Sequence, residues 1–388
     1  MSTEKAVILT PEAETRLVRR EAVLALEHLG FSVYVRDAET LSAPGLRRLF
    51  ALAPERSALP RHPALFFSIN FHGLDKHGDA FSVLRANGVP VAVWCVDNPW
   101  NLLSGLRSDF WKELHLFVTD DSFIPGLKAH GARYVAHLPL AADVATFASV
   151  APPSPLPATA PVVFVGRSAF PDKERFFVGL HLPQKLVEEA AIVSVKGTRP
   201  DFSWWLNKLN APNAQLWPGS LARRASFGAE HSSLAWKTTC LREALASGLT
   251  IYGDAGWRDI FPSGGKKAPK LHPPVDYYTG LRAIYAAAPF SLNMVSFLLP
   301  HGLNQRHFDT WAAGGFCLMD NSPGLALFPK ELTEPVTFAS PNGIPDRIAL
   351  FAKDTTAKKQ LTAKWREHIL AEHTYSHRMR HLTKLIFS

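Results

Sequence analysis

Short apolar runs alternate with helical patterns along most of the chain, and this alternation constrains the fold more than any other feature. In the first 140 residues the apolar runs are KAVILT, FSVYV, ALFFSINF, VPVAVWCV, LHLFVTD and YVAHLPL. Several of them are continuously apolar, which is typical of strands that are covered on both faces. The alternation therefore predicts an α/β fold in which a doubly wound parallel sheet forms this half of the chain.

Residues 151–161, APPSPLPATAP, form the predicted boundary between two domains. Clustered prolines cannot continue a helix or donate the amide hydrogens of a sheet, so the segment is typical of a linker. After it the alternation resumes with PVVFVGR, AAIVSVKG and LTIYGDAGW, each of which we predict to be a strand. We predict one domain over residues 1–150, a second over 162–365 and a C-terminal helix over 366–388.

The composition restricts the classes of partner that we expect. Of the 388 residues, 47% are hydrophobic, which predicts a packed core rather than a disordered chain. The net charge of +8 favours acidic partners. Lysine and arginine occur in pairs such as Arg223-Arg224 and Lys266-Lys267 rather than in long runs. We therefore expect a phosphorylated small molecule as the partner, and no nucleic acid.

The cysteines and the N-terminus indicate a reducing compartment. Cys95, Cys240 and Cys317 are widely spaced, which predicts buried reduced thiols and no structural zinc site. The first residues, MSTEKAVILTPEAE, lack the apolar core of a signal peptide, and no apolar stretch is long enough to cross a membrane. We expect a cytoplasmic protein without an integral membrane segment.

The stretch 291–329 contains the most informative motif. An apolar run, 292–299, is predicted to be a strand and is followed by the polar cluster HGLNQRHFD. The pair Gly314-Gly315 ends the predicted helix, because glycine adopts the left-handed C-cap conformation without a Cβ penalty. The start of a helix that follows a strand has free amide groups, so we predict that an anion binds there.

Four pieces of the sequence, VFVG…KER, LTIYGDAGW, GLNQRHFDTWAAGGFCLMD and HTYSHRM, resemble the CgeB-like (spore-protein-type) glycosyltransferases. The amino-terminal half, with WCVDNP, is similar to the domain that often precedes that module. The resemblance implies a GT-B fold, with two Rossmann-like domains facing a cleft. It also implies that the C-terminal domain binds a nucleotide-sugar donor, that the acceptor enters from the N-terminal domain, and that the last helix crosses back onto the N-terminal domain.

The sequence departs from the resemblance at two positions. Many retaining GT-B transferases carry two glutamates eight positions apart around this helix, where this chain has His301 and Asp309. Asp309 can still accept hydrogen bonds from ribose hydroxyls, whereas His301 cannot replace a carboxylate. The choice between retention and inversion of the sugar configuration therefore stays open.

Binding of the donor requires positive charge, because the charge on the diphosphate grows as the glycosidic bond breaks. The sequence has no Asp-x-Asp metal motif, so we predict a metal-independent reaction in which arginine and lysine bind the phosphates. Arg306 is the predicted phosphate clamp, and Arg167 and Lys173, with Arg175 nearby, are further candidates. Lys173, Glu174 and Arg175 also fit an ordinary solvated helix face.

Three more residues are donor-side candidates. Asn304 either caps the helix or contacts the donor phosphate or sugar. His301 lies just before the helix and is a candidate for contact with the transferred sugar. Gly253 follows a predicted strand, where it either lets the backbone approach the base or forms a plain turn.

Activation of an acceptor hydroxyl by an inverting enzyme requires a general base. Asp97 and His72 are the best candidates, because each follows a buried strand of the N-terminal domain. Asp97-Asn98-Pro99 also fits a simple turn. Asp120 and Asp121 are weaker candidates, because they could cap the helix that follows.

Together these features predict a hexosyl- or related glycosyltransferase that moves a sugar from a nucleoside-diphosphate-sugar to an unknown acceptor. The acceptor could be a protein, a surface glycan or a small molecule, and no cofactor beyond the co-substrate is expected. Two alternatives stay open: a GT-B-fold sugar-nucleotide epimerase or hydrolase, and a catalytically inactive protein that binds nucleotide sugars or takes part in assembly.

Overall fold

A computed structural model describes residues 6–12, 18–51, 62–149, 161–169, 171–209, 215–219, 221–262 and 268–387. Residues 151–160 of the predicted linker and the pair Lys266-Lys267 lie outside these ranges. The described strands are β1 (Val7–Pro11), β2 (Ser32–Arg36), β3 (Pro63–Ile69), β4 (Val91–Cys95), β5 (His115–Val118), β6 (Tyr134–His137), β7 (Val162–Val165), β8 (Leu249–Tyr252), β9 (Lys270–His272), β10 (Phe290–Asn293), β11 (Cys317–Asp320) and β12 (Thr337–Phe338).

The described α-helices follow the same order along the chain. They are α1 (Arg19–His28), α2 (Ala38–Leu41), α3 (Ala43–Ala51), α4 (Asp79–Ala86), α5 (Pro99–Leu103), α6 (Ile124–Ala129), α7 (Val144–Phe147), α8 (Lys173–Phe176), α9 (Gln184–Val195), α10 (Phe202–Lys208), α11 (Leu221–Ala244), α12 (Trp257–Ile260), α13 (Leu281–Ala287), α14 (Arg306–Ala312), α15 (Lys330–Thr333), α16 (Gly343–Lys353), α17 (Thr355–Glu372) and α18 (Tyr375–Phe387).

The first compact unit, called unit 1, comprises Met1–Leu140, Ala214–Ala222 and Tyr375–Ser388. Its six strands form one parallel sheet in the order β2-β1-β3-β4-β5-β6. All five residues of β4 are buried, as the continuous apolar run VAVWC predicts for a strand with helices on both faces. The last helix, α18, packs against α1, and the rings of Phe31 and Phe387 stack with their centroids 5.9 Å apart.

The second compact unit, called unit 2, comprises Ala141–Asn213 and Arg223–Thr374. Its parallel sheet has the order β12-β11-β10-β7-β8-β9. The chain therefore moves outward from β7 in one direction through β8 and β9, and then returns to the other side of β7 with β10. This reversal next to β7 is the position where open α/β sheets form a crevice at the carboxyl ends of the strands.

The two units differ from the predicted domains at their boundaries. Residues 141–149 were predicted to end the first domain, but they lie in unit 2. The predicted C-terminal helix over 366–388 is two helices, α17 and α18, and of the two only α18 belongs to unit 1.

The prediction of a strand over AAIVSVKG is wrong. These residues form the end of the twelve-residue helix α9, which begins after Pro183. The β-branched residues Ile192, Val193 and Val195 favour a strand locally, but the sheet of unit 2 already pairs β7 with β8 on one side and β10 on the other. The segment therefore forms a helix outside the sheet, and of its residues only Ala190 is buried.

A buried ion pair fixes the end of β11 in unit 2. Arg199 donates a hydrogen bond of 2.8 Å to Asp320, whose side chain has no exposed surface. The other oxygen of Asp320 accepts from the amide of Val295 at 3.1 Å, and Trp236 donates to the first oxygen at 3.1 Å. The guanidinium group also lies 4.5 Å from the ring centroid of Phe297. This carboxylate therefore ties four segments of unit 2 together.

Replacement of Asp320 by asparagine should destabilise unit 2 by roughly 3–5 kcal/mol, because it leaves the charge of Arg199 buried without its partner. Urea denaturation followed by tryptophan fluorescence measures the change. The matched control is Asp346→Asn, at an exposed position in the first turn of α16, where the loss should stay below about 1 kcal/mol. Equal losses in the two variants would contradict the importance of the buried pair.

Candidate functional site

The reversal of strand order in unit 2 brings together the beginnings of two segments, the loop after β7 and the segment after β10. Gly166 follows β7, and Asn293 is the last residue of β10. The parallel pairing of Leu292 with Phe164 places both at the carboxyl edge of the sheet. This edge is where α/β sheets bind their ligands, so the side chains near it are the candidate site.

Arg306, the first residue of α14, lies at this edge and is half-buried. Its Nε donates to Asn293 Oδ1 at 2.9 Å, and its guanidinium carbon lies 5.8 Å from the ring centroid of Phe164. A Cβ atom on Gly166 would come within 3.5 Å of its Nη1. Within the described residues, no acidic side chain pairs with Arg306 and its two terminal nitrogens have no hydrogen-bond partner. They are therefore available to an anion.

Asn304 and His307 organise the start of α14. Asn304 accepts from the amide of Arg306 at 3.1 Å and donates to Asn293 at 2.9 Å and to the carbonyl of Met294 at 3.1 Å. His307 is fully buried, and its Nδ1 accepts from the amide of Asn304 at 3.1 Å. Of the two predicted roles for Asn304, these contacts correspond to the cap.

We predicted that an anion binds the free amide groups at the start of this helix, but the structure shows that these amides are already hydrogen-bonded. The helix α14 has only seven residues. The amide of Arg306 is bonded to the Asn304 side chain, and the next three amides donate to the carbonyls of Asn304 and Gln305. In this segment the group left for a ligand, among the described residues, is the Arg306 side chain.

Lys237, on the 24-residue helix α11, brings a second cation to the same edge. Its Nζ donates to the carbonyl oxygens of Arg167 and Ser168, each at 3.4 Å. These two residues follow β7 directly, so Lys237 fixes the loop in which Arg167 was predicted to contact the donor. The side chain of Arg167 itself is exposed.

The electrostatic environment of Lys237 identifies the other charges nearby. Burial is the main cause that lowers the pKa of Lys237, and the positive charges of Arg306 and Lys173 lower it further. The carboxylates of Glu230 and Asp254 act in the opposite direction. Arg306 and Lys173 thus each lie close enough to Lys237 to disfavour its charge, and an anion bound beside Lys237 would relieve this repulsion.

Asp254 and Gly253 hold the loops after β7 and β8 against each other. Asp254 accepts from the amide of Ser168 at 2.9 Å and from its hydroxyl at 2.5 Å. A Cβ atom on Gly253 would lie 2.3 Å from the carbonyl oxygen of Gly166 and 2.6 Å from the indole of Trp257. Glycine is therefore required for this close approach of two backbones, which is a structural reason for its presence.

A cavity of about 600 Å³ opens between these loops in unit 2. Its walls include six of the residues discussed above, namely Gly166, Arg167, Ser168, Lys173, Gly253 and Asp254. Lys173 begins α8 and is half-buried, with its Nζ 3.9 Å from the exposed carboxylate of Glu174. The structure therefore brings Gly253 together with Arg167 and Lys173, which are about 80 residues earlier in the chain.

Asp309 is in the same helix as Arg306, but it is only 1% exposed. Tyr277 donates its hydroxyl to one carboxylate oxygen at 2.6 Å, and the amide of Asp143 donates to the other at 3.1 Å. Burial raises the pKa of Asp309 well above its usual range, and the hydrogen bonds act against this. Both carboxylate oxygens already have hydrogen-bond partners within unit 2. Binding of ribose hydroxyls by Asp309 therefore stays a prediction.

His301 lies in the irregular segment between β10 and α14 and is half-buried. Its backbone is tightly packed, since a Cβ atom on Gly324 would overlap the His301 carbonyl oxygen at 1.9 Å. Contact with a transferred sugar stays a prediction for this residue.

Unit 1 places the two predicted general bases next to each other. Both Asp97, which follows β4, and His72, which follows β3, are exposed. Asn70 donates to Asp97 Oδ2 at 2.7 Å. By contrast, Asp120 is buried and accepts from the amide of Ser122 at 2.9 Å, which is the capping role that the sequence left open.

The sequence analysis missed Lys237, Asn293, His307 and Asn70. Lys237 lies in a helical pattern that contains many other polar residues, so no feature of the sequence singled it out. Asn293 and Asn70 lie inside apolar runs, and His307 lies in the polar cluster before Gly314-Gly315. Their importance comes from partners that tertiary packing supplies.

The buried state of His307 predicts a pH dependence of stability. Burial lowers the pKa of His307 to about 3. The unfolded chain takes up a proton near pH 6.5, whereas the folded chain stays unprotonated down to about pH 3, so stability is lost as the pH falls through this window. Relative to His307→Gln, the wild type should lose about 1.4 kcal/mol per pH unit between about pH 6 and 4. Urea denaturation at several pH values measures this difference, and His381→Gln, at an exposed position, should not alter the slope.

Residues 237–384 match a family model described as glycosyl transferase-like. This match begins at Lys237 and includes Arg306. No curated protein sequence matches the chain significantly. Among the described residues, no helix combines the length and apolar character that a membrane span requires.

Solved structures of low sequence identity share the fold. HepE from Anabaena in complex with UDP is 7% identical, with 98% of this chain and 99% of that chain covered and a TM-score of 0.52. BGT from phage T4 in complex with UDP and Mn²⁺ is 8% identical, with 99% of each chain covered and a TM-score of 0.52. An E. coli structure described as trehalose-6-phosphate bound with UDP-2-fluoro glucose is 12% identical over 98% and 99% of the two chains, with a TM-score of 0.50. Two parallel sheets with flanking helices and a helical C-terminal segment match these GT-B structures, which confirms the predicted fold class.

Proposed function

We propose that this protein is a glycosyltransferase that takes a sugar, a hexose or a related one, from a nucleoside-diphosphate donor bound in unit 2. The observation that carries the proposal is the position of Arg306 and Lys237 at the reversal of strand order in unit 2, next to the loop after β7. This loop, with Arg167 and Lys173, lines a cavity of about 600 Å³. A nucleoside diphosphate fits this chemistry, because its phosphates require several cations at the carboxyl edge of an α/β sheet.

The arrangement assigns separate tasks to the cations. Arg306 presents two free terminal nitrogens on a guanidinium fork, which suits two phosphate oxygens. Lys237 holds the loop after β7 and adds a partly desolvated charge, which strengthens its attraction to an anion. Lys173 and Arg167 line the cavity. The cavity walls also carry the carboxylates of Asp172, Glu174, Asp254 and Asp259, so the cations at the edge of the sheet are the groups suited to an anion. We propose that Arg306 and Lys237 supply this charge and that the transfer is metal-independent.

The similarity to known proteins supports the same proposal. The glycosyl transferase-like match spans Lys237 and Arg306. Solved structures of the same fold are described with UDP or a UDP-sugar, so we propose uridine diphosphate as the nucleotide. The narrower assignment to the CgeB-like group rests on the motifs around Asn304, Arg306 and Asp309.

The remaining candidate residues are proposed for the sugar and the acceptor. Asp97 and His72 are candidates to take the proton of the acceptor hydroxyl. His301 is proposed to contact the transferred sugar. Asp309 is proposed to bind ribose hydroxyls, which requires that the Tyr277 hydroxyl give up its hydrogen bond to the carboxylate. The acceptor could be a protein, a surface glycan or a small molecule.

Calorimetric titration with UDP, GDP, CDP and ADP, followed by turnover of the matching nucleotide sugars, tests the proposal. We expect one nucleotide to bind, and the corresponding donor to be turned over in EDTA as well as without it. Absence of binding to every nucleoside diphosphate would overturn the proposal. Binding without turnover in the presence of acceptor mixtures would favour an inactive binding protein, and complete turnover without acceptor would favour a hydrolase or epimerase.

Arg306→Ala and Lys237→Ala should each weaken binding of the nucleoside diphosphate by roughly 10- to 100-fold. The reason is that a hydrogen bond to a charged group contributes about 1.5–3 kcal/mol. The affinity lost should be smaller at high salt, because screening weakens the charge interaction in the wild type. Calorimetric titration measures both effects.

The matched control for this pair is Lys364→Ala, an exposed lysine of α17 in the same unit. We expect its affinity to equal that of the wild type. Loss of affinity in the control, or unchanged affinity in both site variants, would place the nucleotide elsewhere.

A further inference from the structure

The turn after β3 in unit 1 contains two consecutive non-glycine residues in the left-handed region. Asn70 has φ 53° and Phe71 has φ 65°, and Gly73 follows with φ 77°. The left-handed conformation costs an ordinary residue on the order of 1–2 kcal/mol, although asparagine tolerates it better. Such strain persists only where the surrounding structure holds it, and it concentrates at functional sites.

Several contacts hold this turn in place. The amide of Asn70 donates to the carbonyl of Trp94 at 3.0 Å. Ser68 donates its hydroxyl to the carbonyl of His72 at 2.7 Å. The ring of Phe71 is 7% exposed and packs edge-on against Phe110, with centroids 6.4 Å apart. The surroundings therefore fix the position of the Asn70 side chain.

The Asn70 side chain uses both of its polar atoms on the segment after β4. Its Oδ1 accepts from the amide of Val96 at 2.9 Å, and its Nδ2 donates to Asp97 Oδ2 at 2.7 Å. The other oxygen, Asp97 Oδ1, accepts no hydrogen bond from the described part of the chain. The carboxylate of Asp97 is thus oriented through one oxygen while the other stays available.

We propose that Asn70 is a positioning residue that orients Asp97 as the proton acceptor of the transfer reaction. This inference rests on the proposed glycosyltransferase function. In the step, the proton of the acceptor hydroxyl passes to Asp97 Oδ1 and the hydroxyl oxygen bonds to the anomeric carbon of the sugar. The bond from that carbon to the phosphate oxygen breaks, and the nucleoside diphosphate leaves with the electron pair.

The groups around Asp97 determine in which direction its pKa changes when the Asn70 side chain is removed. Although Asp97 is exposed on one side, desolvation by the surrounding protein raises its pKa, whereas the hydrogen bond from Asn70 and the nearby His72 lower it. Cys95, a further titratable neighbour in the described part of unit 1, is buried, with a pKa raised by burial and by Asp97. Removal of the Asn70 amide therefore raises the pKa of Asp97, so that the base is protonated up to a higher pH.

Asn70→Gly is the appropriate variant, because glycine retains the left-handed backbone and removes the side chain. The rate of donor turnover against pH should show its acid limb displaced to higher pH. The plateau rate should fall roughly 10- to 100-fold, the range expected when a catalytic group is misplaced. The affinity for the nucleoside diphosphate should not change. Asn87→Gly is the matched control: in the same unit, this exposed asparagine donates to the carbonyl of Val83, and we expect a wild-type profile.

A second readout does not depend on activity. The carboxyl ¹³C shift of Asp97, assigned by its absence in Asp97→Asn, should titrate at higher pH in Asn70→Gly than in the wild type. An unchanged titration midpoint, or an unchanged pH profile and plateau in Asn70→Gly, would overturn the inference. A wild-type protein that turns over no donor would overturn the proposed function instead, and the carboxyl titration would then decide separately whether Asn70 controls the protonation of Asp97.

Discussion

The parallel pairing of β7 with β10 is the constraint on which the candidate donor site depends. Because the two strands run in the same direction, their carboxyl ends meet at one edge, and Asn293 comes to lie near Gly166. The Nε of Arg306 then bonds to Asn293, which directs the guanidinium group toward the loop after β7. The site is therefore a consequence of strand order, since no helix dipole or sequence motif alone would bring these groups together.

Several buried polar groups around this edge are satisfied by one another, and this leaves specific atoms for a ligand. Asn293, Asn304 and His307 form a closed network at the start of α14. Asp320 engages Arg199, and Asp309 engages Tyr277, so these carboxylates do not neutralise Arg306. Since every buried donor or acceptor without a partner costs free energy, such networks are rigid. Among the described residues Arg306 has no carboxylate partner, and it is the cation to which we first assign the diphosphate.

The carboxyl edge of the sheet in unit 1 carries different chemical groups from the edge in unit 2. In unit 2 a cavity forms around cations, whereas in unit 1 a strained turn holds one carboxylate through the amide of Asn70. The reversal of strand order in this sheet falls between β1 and β3, and the turn follows β3 directly. A Cβ atom on Gly73 would lie 2.8 Å from Pro11 Cβ at the end of β1, so the turn is packed against that position. Both units therefore present their chemically distinctive groups at the carboxyl ends of central strands.

The sequence by itself determined the fold class and the approximate location of the site. Continuous apolar runs gave most strands of both sheets correctly, because burial on both faces removes polar residues from them. The glycine that ends α14 was also predictable, and Gly314 has φ 78°. The motif around Arg306 also pointed to the segment that contains the candidate donor site. Local patterns failed for α9, where β-branched residues favour a strand but the sheet has no free position beside β7.

Only the tertiary structure decided which polar groups are free. Asp309 and Asn304 have side chains that could bind a donor, but those side chains are already hydrogen-bonded to other residues of unit 2. Lys237 and Arg306 lie on helices far apart in the chain, yet their charges interact in the fold. Nothing in the local sequence distinguishes a satisfied carboxylate from a free one, because the partners are supplied by segments remote in sequence. Hydrogen bonding and burial depend on three-dimensional neighbours, and for that reason the fold class was predictable while the assignment of roles was not.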